Sequence, residues 1–241
     1  MYDEHVFLPS DENGELDRVV EKYEKLGFPG AMGSTDVTRI GWSRRPYNQA
    51  RSYTGMEGKP TVAYQVTVNH SGRVLAVTDG FTGSTNDKTI ICWDAAVDHI
   101  RKDKKYTDKQ FDVYNEDGTT RTLKGCYLLV DNGYHQTLME PSTFLLSESD
   151  LLFSKRLESV RKDVECFFGI LKIRFRILKL AMTYQQQRHI DYVFFACLHP
   201  AQHASYLRRY GWARGECELG RQCRAPEHVG APPRLQLGRG K

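Results

Sequence analysis

Three acidic residues have the types and positions that metal-dependent cleavage of a phosphodiester requires. Asp36 lies among small and β-branched residues, Asp131 closes a nearly continuous apolar run, and Glu165 lies in a long amphipathic segment. Carboxylates at strand ends and on a covering helix can converge on two Mg²⁺ ions about 4 Å apart, because Mg²⁺ prefers oxygen ligands. Such a pair of ions activates a water or a 3′-hydroxyl and stabilises the leaving oxygen. The pattern therefore predicts a candidate two-metal nuclease site.

Each acid also has an ordinary structural interpretation. Asp131 precedes Asn-Gly and is compatible with a simple turn. Glu165 shares a helical stripe with Arg161, four residues before it, and Lys172, seven residues after it, so the three can form a surface ladder of ion pairs. Spacing alone leaves the catalytic and the structural interpretations open.

Hydrophobic periodicity predicts the elements that must position these acids. Helices are expected over residues 15–26 and 86–101, over about 154–180, and over "QQQRHIDYVFFACL" as far as Leu198. Strands are expected in "GAMGSTDVTRIGW", in a hairpin over 61–80, and in "CYLLVDNGY", which is apolar enough to be a buried strand. Residues 102–124 are polar and indicate an exposed hairpin or loop, and residues 135–150 look irregular to helical.

Four sequence blocks resemble a known family. They are "FPGAMGSTD" at 28–36, "GSTND" at 83–87, "YLLVDNGY" at 127–134 and "RKDVECFFGILKIRFRIL" at 161–178. Together they resemble the DDE endonuclease domain of Harbinger-type transposases, particularly the branch described as plant transposon proteins. The resemblance covers roughly residues 25–198, and the blocks occur in the family's order.

The resemblance implies an α/β fold of the RNase H-like type, with a mixed sheet flanked by helices. It implies a nuclear protein that cuts DNA and transfers strands with two divalent ions, Mg²⁺ or Mn²⁺. By position, the catalytic and metal-binding triad would be Asp36, Asp131 and Glu165, with Asp87 as an auxiliary or helix-capping residue.

Basic side chains near Glu165 are the expected DNA contacts. They are Arg161, Lys162, Lys172, Arg174 and Arg176. Arg161 and Lys172 also match the Arg-x3-Glu-x6-Lys part of a signature in related bacterial transposases. Gly169 either lets a DNA backbone approach or serves as a packing glycine. Trp42 either stacks on an unpaired base or belongs to the core.

The chain departs from the family at both ends. Residues 1–27 are a short helical lead-in, 28–198 the endonuclease domain, and 199–241 a tail rich in Arg, Gly and Pro that is expected to be disordered. Only 35 residues precede Asp36, too few for the family's DNA-reading region, so a separate DNA-reading partner protein would be needed. The tail carries eight Arg or Lys and three Glu, and its composition raises the hypothesis of a different reading frame.

Two functional classes remain open at this point. The first is a metal-dependent DNA endonuclease or transposase, and the second is a catalytically inactive, truncated relic that binds DNA or a protein partner. No run of 18 apolar residues occurs, so no membrane span is predicted. The six cysteines include no Cys-x-x-Cys pair and give little support to a zinc site.

Overall fold

The computed structural model describes residues 6–55, 58–114, 118–131, 138–139 and 148–209. The elements in these residues are α1 (Glu15–Lys25), β1 (Ala31–Gly41), a 3₁₀ turn (Tyr47–Gln49), α2 (Ala50–Tyr53), β2 (Thr61–Val68), β3 (Val74–Val77), β4 (Phe81–Thr82), α3 (Asp87–Cys92), α4 (Ala95–Lys102), α5 (Lys104–Thr107), β5 (Gln110–Tyr114), β6 (Thr120–Lys124), β7 (Tyr127–Leu129), β8 (Leu138–Met139), α6 (Glu148–Arg174), a 3₁₀ turn (Arg176–Lys179) and α7 (Gln187–Arg209). None of the described helices is both long and apolar enough to cross a membrane.

Six of the described strands form one mixed sheet. Their order is β3-β2-β1-β7-β8, with β4 also paired to β2. β2 pairs antiparallel with β3 and β4, whereas β7 pairs parallel with both β1 and β8. β5 and β6 form a separate antiparallel hairpin, in the segment where the sequence indicated an exposed hairpin or loop. The mixed sheet flanked by helices confirms the predicted α/β fold class.

The chain divides into two compact units, and β1 and α6 contribute residues to both. Among the described residues, the first unit contains 6–8, 35–98 and 163–209. The second unit contains the described residues of 9–34 and 99–162.

The core of the first unit is built on β2, whose eight residues are all buried. The ring of Tyr64 stacks on that of Phe194 in α7, with centroids 4.0 Å apart. Burial raises the pKa of Tyr64, and its hydroxyl donates to Asp191 Oδ1 at 2.6 Å. A Cβ on Gly80 would lie 2.4 Å from the same Asp191 oxygen, so this close approach requires glycine. The apolar stack and the part-buried hydrogen bond fix α7 on the sheet.

In the second unit, aromatic contacts position the start of β1. The rings of Phe28 and Phe153 lie 5.9 Å apart, which joins the lead-in of β1 to α6. Gly30 has a φ of 86°, and a Cβ there would lie 2.3 Å from Phe111 Cε1. Both the positive φ and the close ring require glycine at this position. The chain can therefore turn into β1 directly beneath the β5–β6 hairpin.

The helix predicted over residues 86–101 is two helices. Asn86 caps the first as expected, and its side chain accepts from Lys88 N at 2.9 Å. The break follows Trp93, because the side chain of the buried Asp94 begins a new helix by accepting from Ala96 N at 2.8 Å. Gln65 holds the other Asp94 oxygen at 2.5 Å. Hydrophobic periodicity could not predict this break, because Gln65, the partner of Asp94, lies 29 residues away in the sequence.

The last two helices have bounds that differ from the prediction. α6 begins at Glu148 and ends at Arg174, because Phe175 leaves helical geometry with φ −114° and ψ 83° before the 3₁₀ turn. α7 continues past Leu198 to Arg209 with Pro200 inside it. The Ala, Gln, Leu and Arg residues of that stretch favour a helix, so the first eleven residues of the tail are helical. Residues 210–241, and most of 135–150, lie outside the described residues.

Phe194→Ala should destabilise the protein by about 3–5 kcal/mol, because it removes a fully buried ring from the stack on Tyr64. The measurement is the free energy of unfolding from urea titration. Tyr192→Ala is the matched control, since that residue lies on the same helix with 65% of its surface exposed. The control should stay within about 0.5 kcal/mol of the parent. Equal losses in both variants would contradict the described core.

Asp94→Asn should make stability less dependent on pH. Burial raises the pKa of Asp94 above 3.8. The folded state therefore binds this proton more tightly, and the resulting stabilisation is complete below about pH 3.8 and is lost as pH rises through the folded pKa. The stability of the variant relative to the parent should increase over that range, measured by urea unfolding at successive pH values. A difference that is constant with pH would contradict this account.

Candidate active site

Asp36 lies in the middle of β1 and is half-buried. Side chains alternate along a strand, so Asp36 shares a face with the buried Thr38 and Ile40. Ile40 belongs to the same hydrophobic core as Phe167 of α6. Asp36 Oδ1 accepts the backbone N–H of Val37 at 2.8 Å, which fixes the carboxylate orientation. Asp36 therefore extends from the sheet face that α6 covers.

Glu165 lies on α6 next to that core. Val164 and Phe167 on either side of it are buried, whereas Glu165 itself is exposed. The predicted charged stripe is uneven, since Arg161 is buried and Lys172 is half-buried. This unevenness does not fit a uniform surface ladder of ion pairs. Glu165 instead borders the apolar face of the helix.

Gly169, one turn after Glu165, has no packing reason to be glycine. The residue is exposed, and no atom of the described residues lies within 4 Å of a Cβ built on it, the helix's own backbone aside. Among the described residues, packing therefore gives no reason for glycine at this position.

Asp131 lies two residues after the end of β7, and its side chain is 57% exposed. Its Oδ2 lies 3.6 Å from Nη2 of Arg161, which is itself buried on α6. The sequence suggested Glu165 or a DNA phosphate as the partner of Arg161. In the structure the guanidinium stands beside the second acid of the predicted triad and offsets its negative charge.

Asp36 and Asp131 lie at the same distance along the chain from the β1–β7 pairing. The last paired residues of β1 and β7 are Ser34 and Leu129. Each aspartate comes two residues after its own paired residue, Asp36 within β1 and Asp131 beyond the end of β7.

Asp87 is the first residue of α3, where a negative charge is favoured by the helix dipole. Its Oδ1 lies 2.5 Å from Nη2 of Arg39. Arg39 is three residues beyond Asp36 on β1 and so lies on the opposite face of the strand. The capping role belongs to Asn86, and the structure gives Asp87 an ion pair on the face away from Asp36.

The predicted DNA contacts differ in exposure. Lys162, Arg174 and Arg176 are exposed, Lys172 is half-buried and Arg161 is buried. Trp42 is buried, and its indole Nε1 donates to the carbonyl of Tyr184 at 2.6 Å. Of the two interpretations of Trp42, the core aromatic is therefore correct.

Within the described part of the chain, no three His, Cys, Asp or Glu side chains are grouped as a metal site. Asp36 and Glu165 belong to the first unit and Asp131 to the second. By donor type the three carboxylates fit Mg²⁺ and Mn²⁺, which are hard ions that prefer oxygen.

Sequence reasoning missed two ion pairs, Arg39 with Asp87 and Arg161 with Asp131. Their partners are 48 and 30 residues apart, and no local spacing links them. The one usable signal was the alternation along β1, which puts Arg39 on the face away from Asp36.

Comparison with known proteins identifies the family. A search of curated proteins and a search of solved structures each gave no match. The family described as DDE superfamily endonuclease matches residues 35–199, a range that includes the two aspartates and the glutamate. Endonuclease domains of this kind generally use divalent metal ions. Because the match covers well over half of the chain, the protein belongs to the DDE superfamily of endonucleases.

Proposed function

We propose that this protein cleaves DNA phosphodiester bonds and transfers the cut strands, as a nuclear transposase-type enzyme of the Harbinger plant branch. Asp36, Asp131 and Glu165 would be its catalytic metal ligands. The observation that carries the proposal is the family match, which begins one residue before Asp36 and extends beyond Glu165.

The positions of the three acids support this assignment. β1 pairs parallel with β7 as far as Ser34 and Leu129, and Asp36 and Asp131 each come two residues later in the sequence. Asp36 extends from the face covered by α6, the helix that carries Glu165. The order strand aspartate, strand aspartate, helix glutamate matches the pattern that predicted a two-metal site.

A bound pair of Mg²⁺ or Mn²⁺ ions would supply the activated nucleophile and the charge that stabilises the leaving oxygen. The chain's own groups would prepare the site. Arg161 would place a positive charge beside the carboxylate of Asp131, since the two groups lie 3.6 Å apart. Val37 N–H fixes one oxygen of Asp36 and thereby directs the carboxylate.

The basic residues would hold the DNA backbone. Lys162, Arg174 and Arg176 are exposed, and Lys172 is half-buried. Such contacts attract phosphates without reading sequence. Selection of a target would then fall to a separate DNA-reading partner protein. Asp87 would act indirectly, through its ion pair with Arg39 on the strand that carries Asp36.

Glu165→Gln, Asp36→Asn and Asp131→Asn should each abolish nicking of a supercoiled plasmid in Mg²⁺ or Mn²⁺. Each change keeps the side-chain shape and removes the charge that a divalent ion requires. The measurement is conversion of supercoiled to open-circular plasmid on a gel, with EDTA as the metal-free reference.

Glu158→Gln is the matched control for these variants. Glu158 is exposed on the same helix, seven residues before Glu165, and so loses the same charge from nearly the same face. The control should nick like the parent. Nicking that survives Glu165→Gln, or a folded parent that never nicks in either metal, would overturn the proposal and leave a DNA-binding relic.

Arg161→Ala should reduce stability, whereas Lys162→Ala should reduce DNA binding, although the two residues are adjacent. Arg161 is buried beside Asp131, so its loss should cost about 1–3 kcal/mol in the free energy of unfolding. Lys162 is exposed, so its loss should leave stability within about 0.5 kcal/mol and weaken binding to duplex DNA. Urea unfolding and a DNA-binding titration measure the two effects. Equal stability losses would contradict the different environments.

A further inference from the structure

Two segments of the first unit carry basic residues and no acidic ones. Residues 37–56 contain four arginines and no Asp or Glu. Residues 166–190 contain five Lys or Arg and no Asp or Glu. The first segment continues from the strand that carries Asp36, and the second continues from the helix that carries Glu165.

Hydrogen bonds join these distant segments. Met182 N donates to the carbonyl of Gly41 at 2.8 Å, and Ser43 N donates to the carbonyl of Met182 at 2.9 Å. The indole of Trp42 donates to the carbonyl of Tyr184. A Cβ on Gly41 would lie 3.1 Å from the Ala181 Cα, so the two backbones are in close contact. The two segments are therefore joined along residues 41–43 and 181–184.

The loop after β1 is held at both ends and exposes its middle. It leaves the core at Trp42 and returns at Tyr53, whose ring lies edge-on to that of Trp42 at 4.8 Å. Between these anchors Tyr47 is 97% exposed, and Arg44 and Arg51 are also exposed. The loop is anchored at both ends, yet it exposes the ring of Tyr47 between two arginines. Packing does not explain this exposure.

The second segment contributes the same kinds of side chain. Arg176 and Lys179 are exposed in the 3₁₀ turn, and Leu180 and Tyr184 follow with 67% and 39% of their surfaces exposed. Four cations of the two segments have no ion-pair partner within 4.0 Å among the described residues. They are Arg44, Arg51, Arg176 and Lys179. We define the Tyr47 surface as Arg44, Tyr47, Arg51, Arg176, Lys179 and Tyr184.

We propose that the Tyr47 surface binds an unpaired DNA strand next to the cleavage site. This inference rests on the proposed DNA substrate, though not on catalysis. Exposed cations without acidic neighbours attract phosphates, and exposed aromatic rings stack on bases. In a duplex the faces of the bases are covered by their neighbours, so the ring of Tyr47 can stack only on an unpaired base. The mixture of aromatic and basic side chains therefore favours a single strand.

The position of the surface fits that role. Gly41, where the two segments meet, is five residues beyond Asp36 on β1, about 16 Å at ~3.3 Å per residue. That distance corresponds to roughly five stacked nucleotides at ~3.4 Å each. The surface would thus hold a strand a few nucleotides from the predicted metal ligands, and it shares Arg176 with the contacts expected around Glu165.

The test is a fluorescence anisotropy titration of the full chain in EDTA, with a labelled 20-nucleotide single strand of mixed sequence and with its blunt duplex. Tyr47→Ala should weaken single-strand binding by about tenfold. Tyr47→Phe should bind like the parent because it keeps the ring. Arg44→Ala with Arg51→Ala should lower the slope of log affinity against log salt by about 1.4, or ~0.7 for each phosphate contact.

Arg121→Ala with Lys124→Ala is the charge-matched control, since both residues are exposed on β6. This control should bind the single strand like the parent. The proposal is overturned if Tyr47→Ala leaves single-strand affinity unchanged, or if the control pair weakens binding as much as the arginine pair. A preference for the duplex that is unaffected by Tyr47→Ala would also overturn it.

The binding and nicking measurements distinguish failure of the Tyr47 surface proposal from failure of the proposed function. Binding is measured without metal, so Glu165→Gln should bind the single strand like the parent while it fails to nick plasmid. Nicking by the parent together with unchanged binding by Tyr47→Ala would refute the Tyr47 surface alone. Single-strand binding that depends on Tyr47, with no nicking, would refute catalysis alone.

Discussion

The parallel pairing of β1 with β7 is the constraint that fixes the chain just before Asp36 and just before Asp131, two of the proposed metal ligands. Backbone hydrogen bonds fix the register at Ser34 and Leu129, two residues before the two aspartates. Side chains alternate along a strand, so a slip of one residue would turn Asp36 to the other face. The buried Ile40 resists such a slip, because it would have to leave the core. Packing of apolar residues thus determines the face of β1 on which the carboxylate of Asp36 lies.

Two of the acids predicted for the site each lie beside an arginine. An ionised carboxylate close to a core is costly unless a cation or donor stands beside it. Asp131 has Arg161, and Asp87 has Arg39 on the opposite face of β1. Basic residues collect at the far end of the same strand and helix, where acidic residues are absent from the sequence.

The sequence predicted the parts of the fold in which local pattern and tertiary packing agree. Amphipathic spacing identified α1 and the long helix, and alternation with turn residues identified the β2–β3 hairpin. The sequence did not predict features that depend on a partner far away along the chain. The cap at Asp94 depends on Gln65, and the burial of Trp42 depends on contacts with Tyr53 and Tyr184. No periodicity encodes such pairs.

For the candidate site, residue types and order along the chain were predictable, whereas charge partners were not. Asp36, Asp131 and Glu165 fall within the family match, yet the cation beside Asp131 became visible only in the folded chain. The Tyr47 surface was missed for the same reason, since its two segments are more than 100 residues apart in the sequence.

The central claim is that three carboxylates share divalent ions, and Mn²⁺ binding tests it without reference to activity. Electron paramagnetic resonance reports free Mn²⁺ during titration of the protein. The account predicts about two bound ions per chain, with binding weakened in Asp36→Asn, Asp131→Asn and Glu165→Gln and unchanged in Glu158→Gln. Equal binding by the parent and all three amide variants would contradict the account.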